Sequence, residues 1–288
     1  MPELPEVQTT VIGLRKKVVG LKILDVWTDA PKIIKIPNFP SFKKKIKNRK
    51  IEKVLRVGKN IILRLDDNRA LLIHQKMTGH LLFGKWKKEN ERWHAVNGGP
   101  LSDPMNRFIH LIFFLSNGKM LALSDLRKFA KVIFGTKEDI NNLPEIKKLG
   151  PDALEINFKE FKKRIKEKKG EIKKVLMNQE AISGIGNIYS DEILFESKIN
   201  PFKRTEELGE VELKKLFNAT KKILKIGIRL HGESISDYRT LEGKKGNFDK
   251  ARKIYRREGQ KCRKCGGKIL RRKIGGRSAH FCPNCQKL

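Results

Sequence analysis

Residues 108–123, Phe-Ile-His-Leu-Ile-Phe-Phe-Leu-Ser-Asn-Gly-Lys-Met-Leu-Ala-Leu, are two apolar runs joined at Asn117-Gly118. Asn-Gly between such runs is a strong hairpin signal, because a two-residue turn needs backbone conformations that these residues tolerate. The stretch therefore reads as two antiparallel strands, 108–115 and 120–123. The same short β-rich texture recurs at 22–28, 51–57, 60–65, 70–74, 80–83 and 130–134. Strands of this length and spacing build a sandwich or a barrel. Segments 75–79 and 85–104 interrupt the pattern and read as loops, the second polar and glycine-containing.

Upstream, Leu4, Val7, Val11, Leu14 and Val18 recur at intervals of three and four, an amphipathic helix. Pro5 suits its first turn, Glu6 opposes the positive end of the helix dipole, and Gly20 follows its end. Pro2 and Glu3 thus stand directly before a helix N-terminus. Downstream, Pro144 and Gly150-Pro151 mark a transition at 135–154, and the periodicity then becomes helical at 158–168, 171–178, 187–197 and 210–230. This is a separate α domain with a basic face. Before its third helix lies Ser183-Gly184-Ile185-Gly186-Asn187-Ile188-Tyr189, whose glycines let backbone N–H groups approach a phosphate, with Asn187 as N-cap or direct phosphate contact. Short glycine loops between helices are common, so this segment decides nothing alone.

All four cysteines fall in the tail, as Cys262-x2-Cys265 and Cys282-x2-Cys285 separated by sixteen residues. Paired knuckles at this spacing read as one tetrahedral Zn²⁺ site. Four thiolates close the coordination sphere, so the ion is structural. Two disulfides are the alternative, which an intracellular protein does not ordinarily use. The β-like segments 268–273 and 280–281 flank Gly275-Gly276-Arg277, giving a zinc-ribbon hairpin whose turn presents an arginine.

Across 288 residues, 65 Lys and Arg face 32 Asp and Glu, a formal net charge of +33, and 39% of residues are hydrophobic. A field of that sign attracts polyanions, nucleic acid first, because each phosphate neutralised releases counterions. Apolar runs such as 108–115 are too short to span a bilayer, and the polar, proline-containing start is no signal peptide. The expectation is a soluble, intracellular protein that does not engage membranes.

The first residues, Met1-Pro2-Glu3, carry a chemical possibility. Met1 precedes a small residue, the context for its removal, which leaves Pro2 as a secondary amine at the chain end. An α-amino group titrates near ~8, so much of it is neutral and nucleophilic at cell pH. Such an amine can attack a carbonyl-like carbon and form an iminium, with the Glu3 carboxyl moving protons. In isolation, however, Met-Pro-Glu is an ordinary start and Pro5 a helix opener.

Together, Pro2-Glu3-Leu4-Pro5-Glu6-Val7, Gly184-Ile185-Gly186-Asn187-Ile188-Tyr189 and Gly275-Gly276-Arg277 with Phe281-Cys282-Pro283-x-Cys285-Gln286 resemble the bacterial formamidopyrimidine-DNA glycosylases over essentially the whole chain. Glu-Leu-Pro, instead of the Glu-Gly-Pro usual in the sister endonuclease VIII group, favours the purine-lesion branch. The resemblance implies an α+β multidomain protein. A β-sandwich with flanking helices (1–135) carries catalysis; a helix-two-turns-helix domain (152–232) and a zinc ribbon (250–288) bind DNA. It implies a monomeric base-excision-repair enzyme of the prokaryotic cytoplasm, associated with the nucleoid. The partner is damaged double-stranded DNA, and the lesions are oxidised purines, 8-oxoguanine and formamidopyrimidines, flipped from the duplex. In the family the proline amine attacks C1′ and expels the base, and β- then δ-elimination nicks the strand.

Mapped residue by residue, the resemblance makes Pro2 the nucleophile, Glu3 the proton donor, Lys59 the lysine of β-elimination and phosphate contact, and Arg277 the arginine of the lesion phosphates and δ-elimination. Met77, Arg127 and Phe129 would fill the hole left by the flipped base; without the resemblance, Met77 and Phe129 read as core residues. His74, Lys168 and Asn187 map to phosphate contacts. Cys262, Cys265, Cys282 and Cys285 map to the metal, and the basic stretch 234–248 maps to a loop that closes over the extruded base.

The chain departs from the family's pattern in four places. His74-Gln75-Lys76-Met77 replaces His-Leu-Gly-Met, and Arg127-Lys128-Phe129-Ala130 loses a glycine. Arg107-Phe108-Ile109-His110 lacks one histidine, and Ile254-Tyr255-Arg256-Arg257 replaces Val-Tyr-Gly-Arg. Alternatives are an endonuclease VIII-like specificity for oxidised pyrimidines, and a non-catalytic zinc-ribbon DNA-binding protein with an inert Pro2.

Overall fold

The Asn117-Gly118 hairpin forms in the computed structural model, which describes residues 1–234 and 237–288. It joins Ile109–Leu115 to Met120–Ser124, the ninth and tenth strands in chain order. The chain divides into two units, Met1–Lys147 with Leu230–Asp249, and Lys148–Arg229 with Lys250–Leu288.

In the first unit, helix α1 (Leu4–Lys17) is followed by β1 (Ile23–Thr28), β2 (Ile34–Ile36), α2 (Phe39–Ile46), β3 (Ile51–Val57), β4 (Asn60–Leu65), β5 (Arg69–His74), β6 (His80–Gly84), β7 (Trp86–Glu89), β8 (Arg92–Ala95), β9 and β10 (the hairpin), β11 (Lys131–Thr136), α3 (Lys137–Asn142) and α4 (Pro144–Lys147). The strands form a four-stranded sheet, β1-β9-β10-β6, and a five-stranded sheet, β2-β11-β5-β4-β3. Inward residues of both sheets share one core, with Phe113 and Leu121 from the first and Leu63, Ile73 and Phe134 from the second. This is a sandwich and not a barrel. The stripe Val7, Val11, Leu14 and Val18 joins that core, each buried side chain contributing roughly 1.5–3 kcal/mol.

Several elements were not expected, the short β2 and α4 among them. Helix α2 is capped by Asn38, whose side chain accepts from Ser41 N at 3.1 Å, and it buries only Phe42 and Ile46 beside three consecutive lysines. One apolar pair four residues apart is too little for a periodicity to register. The β7–β8 hairpin lies inside the segment read as a loop. Its strands are mostly polar, and Trp86 and Trp93 anchor it, Trp93 packing edge-on to Trp27 at 5.3 Å. Helix α3, opened by a Thr136–Asp139 capping box, lies in the segment read as a transition and buries Ile140 against Ile62, Leu72 and Ile133.

The second unit contains α5 (Phe158–Glu167), α6 (Ile172–Met177), α7 (Asn187–Ser197), α8 (Glu210–Arg229), β12 (Leu270–Ile274) and β13 (Arg277–Phe281). Strands β12 and β13 pair from Leu270↔Phe281 to Ile274↔Arg277. Gly275 and Gly276 form the turn with φ of +52° and +71°, a left-handed pair suited to glycine. The ribbon shares a core with the helices through Phe195, Ile254, Cys262, Ile269 and Cys282. The stretch 234–248, read as lying between helical domain and ribbon, falls within the first unit, which takes in Leu230–Asp249. Of the stretch 234–248 mapped to a closing loop, Ile235 and Ser236 lie outside the described residues.

Candidate active site

Pro2 is buried, beneath a Met1 that is 46% exposed. Glu3 is the N-cap of α1 and forms a capping box with Glu6, whose Oε2 accepts the Glu3 N–H at 2.7 Å. The reciprocal bonds fix the chain start against the helix instead of letting it fray. Burial lowers the pKa of the terminal ammonium, while the carboxylates of Glu3, Glu6 and Asp237 oppose that shift and Lys59 adds to it. The Met1 amine therefore feels the field of three carboxylates and a lysine, and burial outweighs the carboxylates to favour its neutral form.

Lys59 is almost fully buried in the two-residue turn between β3 and β4, where Gly58 takes φ of +56°. Arg56 clamps this turn to α1, its Nε donating to Gln8 Oε1 at 2.7 Å and its Nη1 to Gly58 O at 3.0 Å. At the end of β5, burial holds His74 at a pKa of about 4, helped by the charges of Lys76, Lys59 and Lys131. His74 is thus neutral at physiological pH. Its Nδ1 accepts the Lys76 N–H at 2.9 Å, which leaves the proton on Nε2 as a hydrogen-bond donor.

Met77 and Phe129 are 39% and 51% exposed, so neither is a core residue. They stand on two turns held together by Asp125, which is fully buried. Its Oδ1 bonds the Thr78 hydroxyl, and its Oδ2 accepts Ala130 N at 2.7 Å. Arg127 N donates to Thr78 Oγ1 at 3.2 Å, and the Arg127 guanidinium lies 4.4 Å from the Phe129 ring centroid. The structure thereby brings Met77, Arg127 and Phe129 together, with Leu126 also 47% exposed. An apolar group exposed beside cations marks a contact surface. Lys76 and Lys128 precede the two apolar residues with φ of +55° and +53°. The glycine lost at Ala130 costs nothing, since its buried backbone keeps the bond to Asp125. Asp125 and Thr78 were not singled out in the sequence, although an Asp opening a turn toward its own backbone is a recognisable signal.

The chain after α8 returns to this site. Glu233 N donates to Glu6 Oε1 at 2.8 Å, and Tyr238 Oη to Glu6 O at 3.2 Å, burial pushing the Tyr238 phenol far up. Gly232, at φ of +82°, has Glu6 Oε1 2.7 Å from where a Cβ would stand. Arg239 pairs with Asp103 at 3.1 Å, and Leu241 enters the sandwich core. Glu6 therefore ties both the chain start and the returning segment, a role invisible in a residue that also suits a first helical turn.

In the second unit, Asn187 opens α7 and lines a cavity of about 600 Å³ with Tyr255, Arg256, Glu258, Arg271, Ser278 and His280. Beneath it lies a buried charge cluster. Lys173 pairs with Asp191 Oδ1, while Asp191 Oδ2 accepts His280 N at 3.0 Å and bonds His280 Nδ1 at 2.8 Å. Glu192, its pKa raised by burial, accepts the N–H groups of Lys253, Ile254 and Tyr255 at 2.9–3.1 Å and fixes that segment to α7. Arg277 is exposed at the ribbon turn. Lys168 ends α5, its carbonyl accepting from Thr205 Oγ1 at 2.7 Å, and is not part of this cavity.

The sulfurs of Cys262, Cys265, Cys282 and Cys285 lie within 4.8 Å of one another, with Cys262–Cys285 at 3.9 Å and Cys265–Cys282 at 3.4 Å. Tetrahedral Zn–S bonds of about 2.3 Å require sulfurs about 3.8 Å apart, so the four thiols fit one Zn²⁺. These sulfur separations are far too long for disulfides.

Three family models match the chain in order. The formamidopyrimidine-DNA glycosylase N-terminal domain covers residues 1–132, the H2TH domain of that enzyme 149–239, and the zinc finger found in FPG and IleRS 259–288. Formamidopyrimidine-DNA glycosylases of Pelotomaculum thermopropionicum and Heliobacterium modesticaldum are 38% and 35% identical, with both partners covered over 100% of their length. The Lactococcus lactis Fpg bound to DNA containing an abasic site superposes with a TM-score of 0.85 at 30% identity, covering 99% of this chain and 100% of that one. A point variant of the same Lactococcus lactis protein, in complex with DNA containing Fapy-dG, gives 0.86 at 30% identity, with both chains covered over 100%.

Proposed function

The chain belongs to the formamidopyrimidine-DNA glycosylase family and is a DNA glycosylase of base excision repair; on that premise we propose which of its residues carry each step, and on which lesions. AP lyase activity and the proline mechanism are known properties of the family. The substrates are oxidised purines, 8-oxoguanine and formamidopyrimidines, in double-stranded DNA, handled by a monomer in the cytoplasm.

Once Met1 is removed, the Pro2 nitrogen attacks C1′ of the flipped nucleotide. The C1′–N bond breaks, and the base leaves with the electron pair and a proton. Glu3 protonates the ring oxygen as the sugar opens to the iminium. That iminium acidifies C2′, and loss of its proton expels the 3′ phosphate; a second elimination expels the 5′ phosphate. Lys59 assists the first elimination and holds a phosphate, and Arg277 assists the second. Met77, Arg127 and Phe129 occupy the vacated stack, while neutral His74, Asn187 and Lys168 hold the backbone. Residues 152–232 and 250–288 supply the second grip on DNA.

One observation carries this reading above the others. Pro2 is buried at the chain start, and burial with the charge of Lys59 lowers the pKa of the Met1 ammonium beside it against the opposing carboxylates of Glu3, Glu6 and Asp237, a setting that favours a neutral amine with acids at hand. Borohydride reduction on abasic duplex DNA is expected to trap a covalent complex through Pro2. Absence of trapping, or mass spectrometry showing Met1 retained on active protein, would refute the mechanism. Duplexes carrying single oxidised purines or pyrimidines, assayed for base release, decide the lesion class.

A further inference from the structure

Arg256 stands out in the second unit. Its φ of +52° places it in the left-handed region that glycine adopts freely and a long side chain does not. The backbone there has little room to relax. Glu192 fixes the three preceding N–H groups, and the following Arg257 is buried, its Nη1 donating back to Lys253 O at 2.7 Å. A strained conformation persists where something outside the local backbone repays it.

Nothing among the described residues does so. Arg256 has no carboxylate partner there, and its guanidinium only overhangs the Tyr255 ring at 5.9 Å. Its side chain is exposed and lines the cavity of about 600 Å³ with Asn187, Tyr255, Arg271, Ser278 and His280. The one acid in that lining, Glu258, is already engaged through both oxygens, by Arg271 Nη1 at 3.6 Å and His280 Nε2 at 3.4 Å. The cavity therefore presents an uncompensated guanidinium with polar donors around it, the chemistry of a phosphate seat.

We propose that Arg256 is a further DNA-binding residue of this chain, and that the cavity it lines seats one phosphodiester of the substrate backbone. The inference rests on the DNA-repair reading above, but it concerns a residue to which that reading gives no part. A planar, five-donor guanidinium on a fixed backbone is suited to clamp a phosphodiester bidentately, and the left-handed conformation aims it into the cavity.

The test uses the full, zinc-loaded chain and duplex DNA bearing a non-cleavable abasic analogue, with dissociation constants measured between about 50 and 200 mM salt. Removing one phosphate contact lowers the slope of log K against log[salt] by about 0.9. R256A and R256G are expected to show that reduction, with affinity several-fold weaker at low salt, while R256K keeps the wild-type slope. A slope unchanged in R256A overturns the proposal. So does an R256K that behaves like R256A, because the effect would then lie in backbone or packing and not in charge. A competition arm with inorganic phosphate separates the ligand sources. If R256A abolished phosphate binding but left the DNA slope intact, the seat would belong to a free anion and the proposal would fall. Borohydride trapping of wild-type chain is the separate control: its failure would sink the repair mechanism while leaving the salt slopes to decide on Arg256.

Discussion

Replacing Asp191 by alanine tests how the second unit is held together. Asp191 and Lys173 are both fully buried and paired, and Asp191 also accepts two bonds from His280 on β13, the strand that begins with Arg277. Removing the carboxylate leaves a buried ammonium without its counter-ion, which costs about 3–5 kcal/mol. The two His280 bonds to a charged acceptor contribute about 1.5–3 kcal/mol each, but they are coupled to the ion pair and do not simply add. A net loss of ~5 kcal/mol corresponds to a fall in Tm of about 20 °C in a unit of this size. The probes differ in weight between the units, because Trp27, Trp86 and Trp93 all lie in the first unit, whereas three of the four helices of ten residues or more, α5, α7 and α8, lie in the second, α1 being the exception. Far-UV circular dichroism should therefore register the loss and tryptophan fluorescence should show whether the sandwich stays folded. The paired replacement Lys173→Met with Asp191→Leu removes both charges and is expected to return to within about 2 kcal/mol of wild type. It should nevertheless bind DNA less well, since His280 no longer anchors the ribbon. An Asp191→Ala protein within about 1 kcal/mol of wild type, or a double variant no more stable than the single, would refute the reasoning.

Three further outcomes follow from particular residues. Gln75 is 2% exposed, and neither atom of its amide finds a partner among the described residues; Gln75→Leu should stabilise the protein by about 1–3 kcal/mol in thermal unfolding, and a loss would contradict that account. Burial holds both His74 and His80 at a pKa of about 4 against 6.5 when exposed, so each is neutral in the fold and takes up a proton more readily when unfolded. Their stabilisation is present above pH 6.5 and is lost as pH falls toward about 4, by at most about 1.4 kcal/mol per unit per group; a Tm flat across that window, or one equally steep in His80→Asn, would exclude them as the source. Metal analysis should find one zinc per chain, and Cys262→Ser should release it and weaken DNA binding, whereas unchanged affinity would deny the ribbon its role as a grip.

Much of this protein was legible in one dimension. The hairpin at Asn117-Gly118, the stripe from Leu4 to Val18 and the two Cys-x2-Cys knuckles are local patterns. Turn chemistry, helical period and ligand spacing act over a few residues, and each produced its element where expected. The +33 charge likewise needs no fold to imply a polyanionic partner. Elements held by tertiary contact alone were not legible: α2 rests on Phe42 and Ile46, and β7–β8 on two tryptophans, too few apolar positions for a pattern.

The site divides along the same line. Residue types and order single out Pro2, Glu3, the cysteines and the motif positions. Only the folded chain shows that the Lys59 charge acts on the Met1 amine, or that Asp125 binds the turns bearing Met77 and Phe129. Glu6 reads from sequence as a helix-dipole residue and becomes, in three dimensions, the tie between the chain start and Glu233 and Tyr238. Arg256 is written as a mere departure from a motif until its φ and its empty-handed guanidinium are known. Local propensity acts through neighbours in the chain. Burial, desolvation and charge pairing act between residues scores or hundreds of positions apart, and those distances exist only after folding.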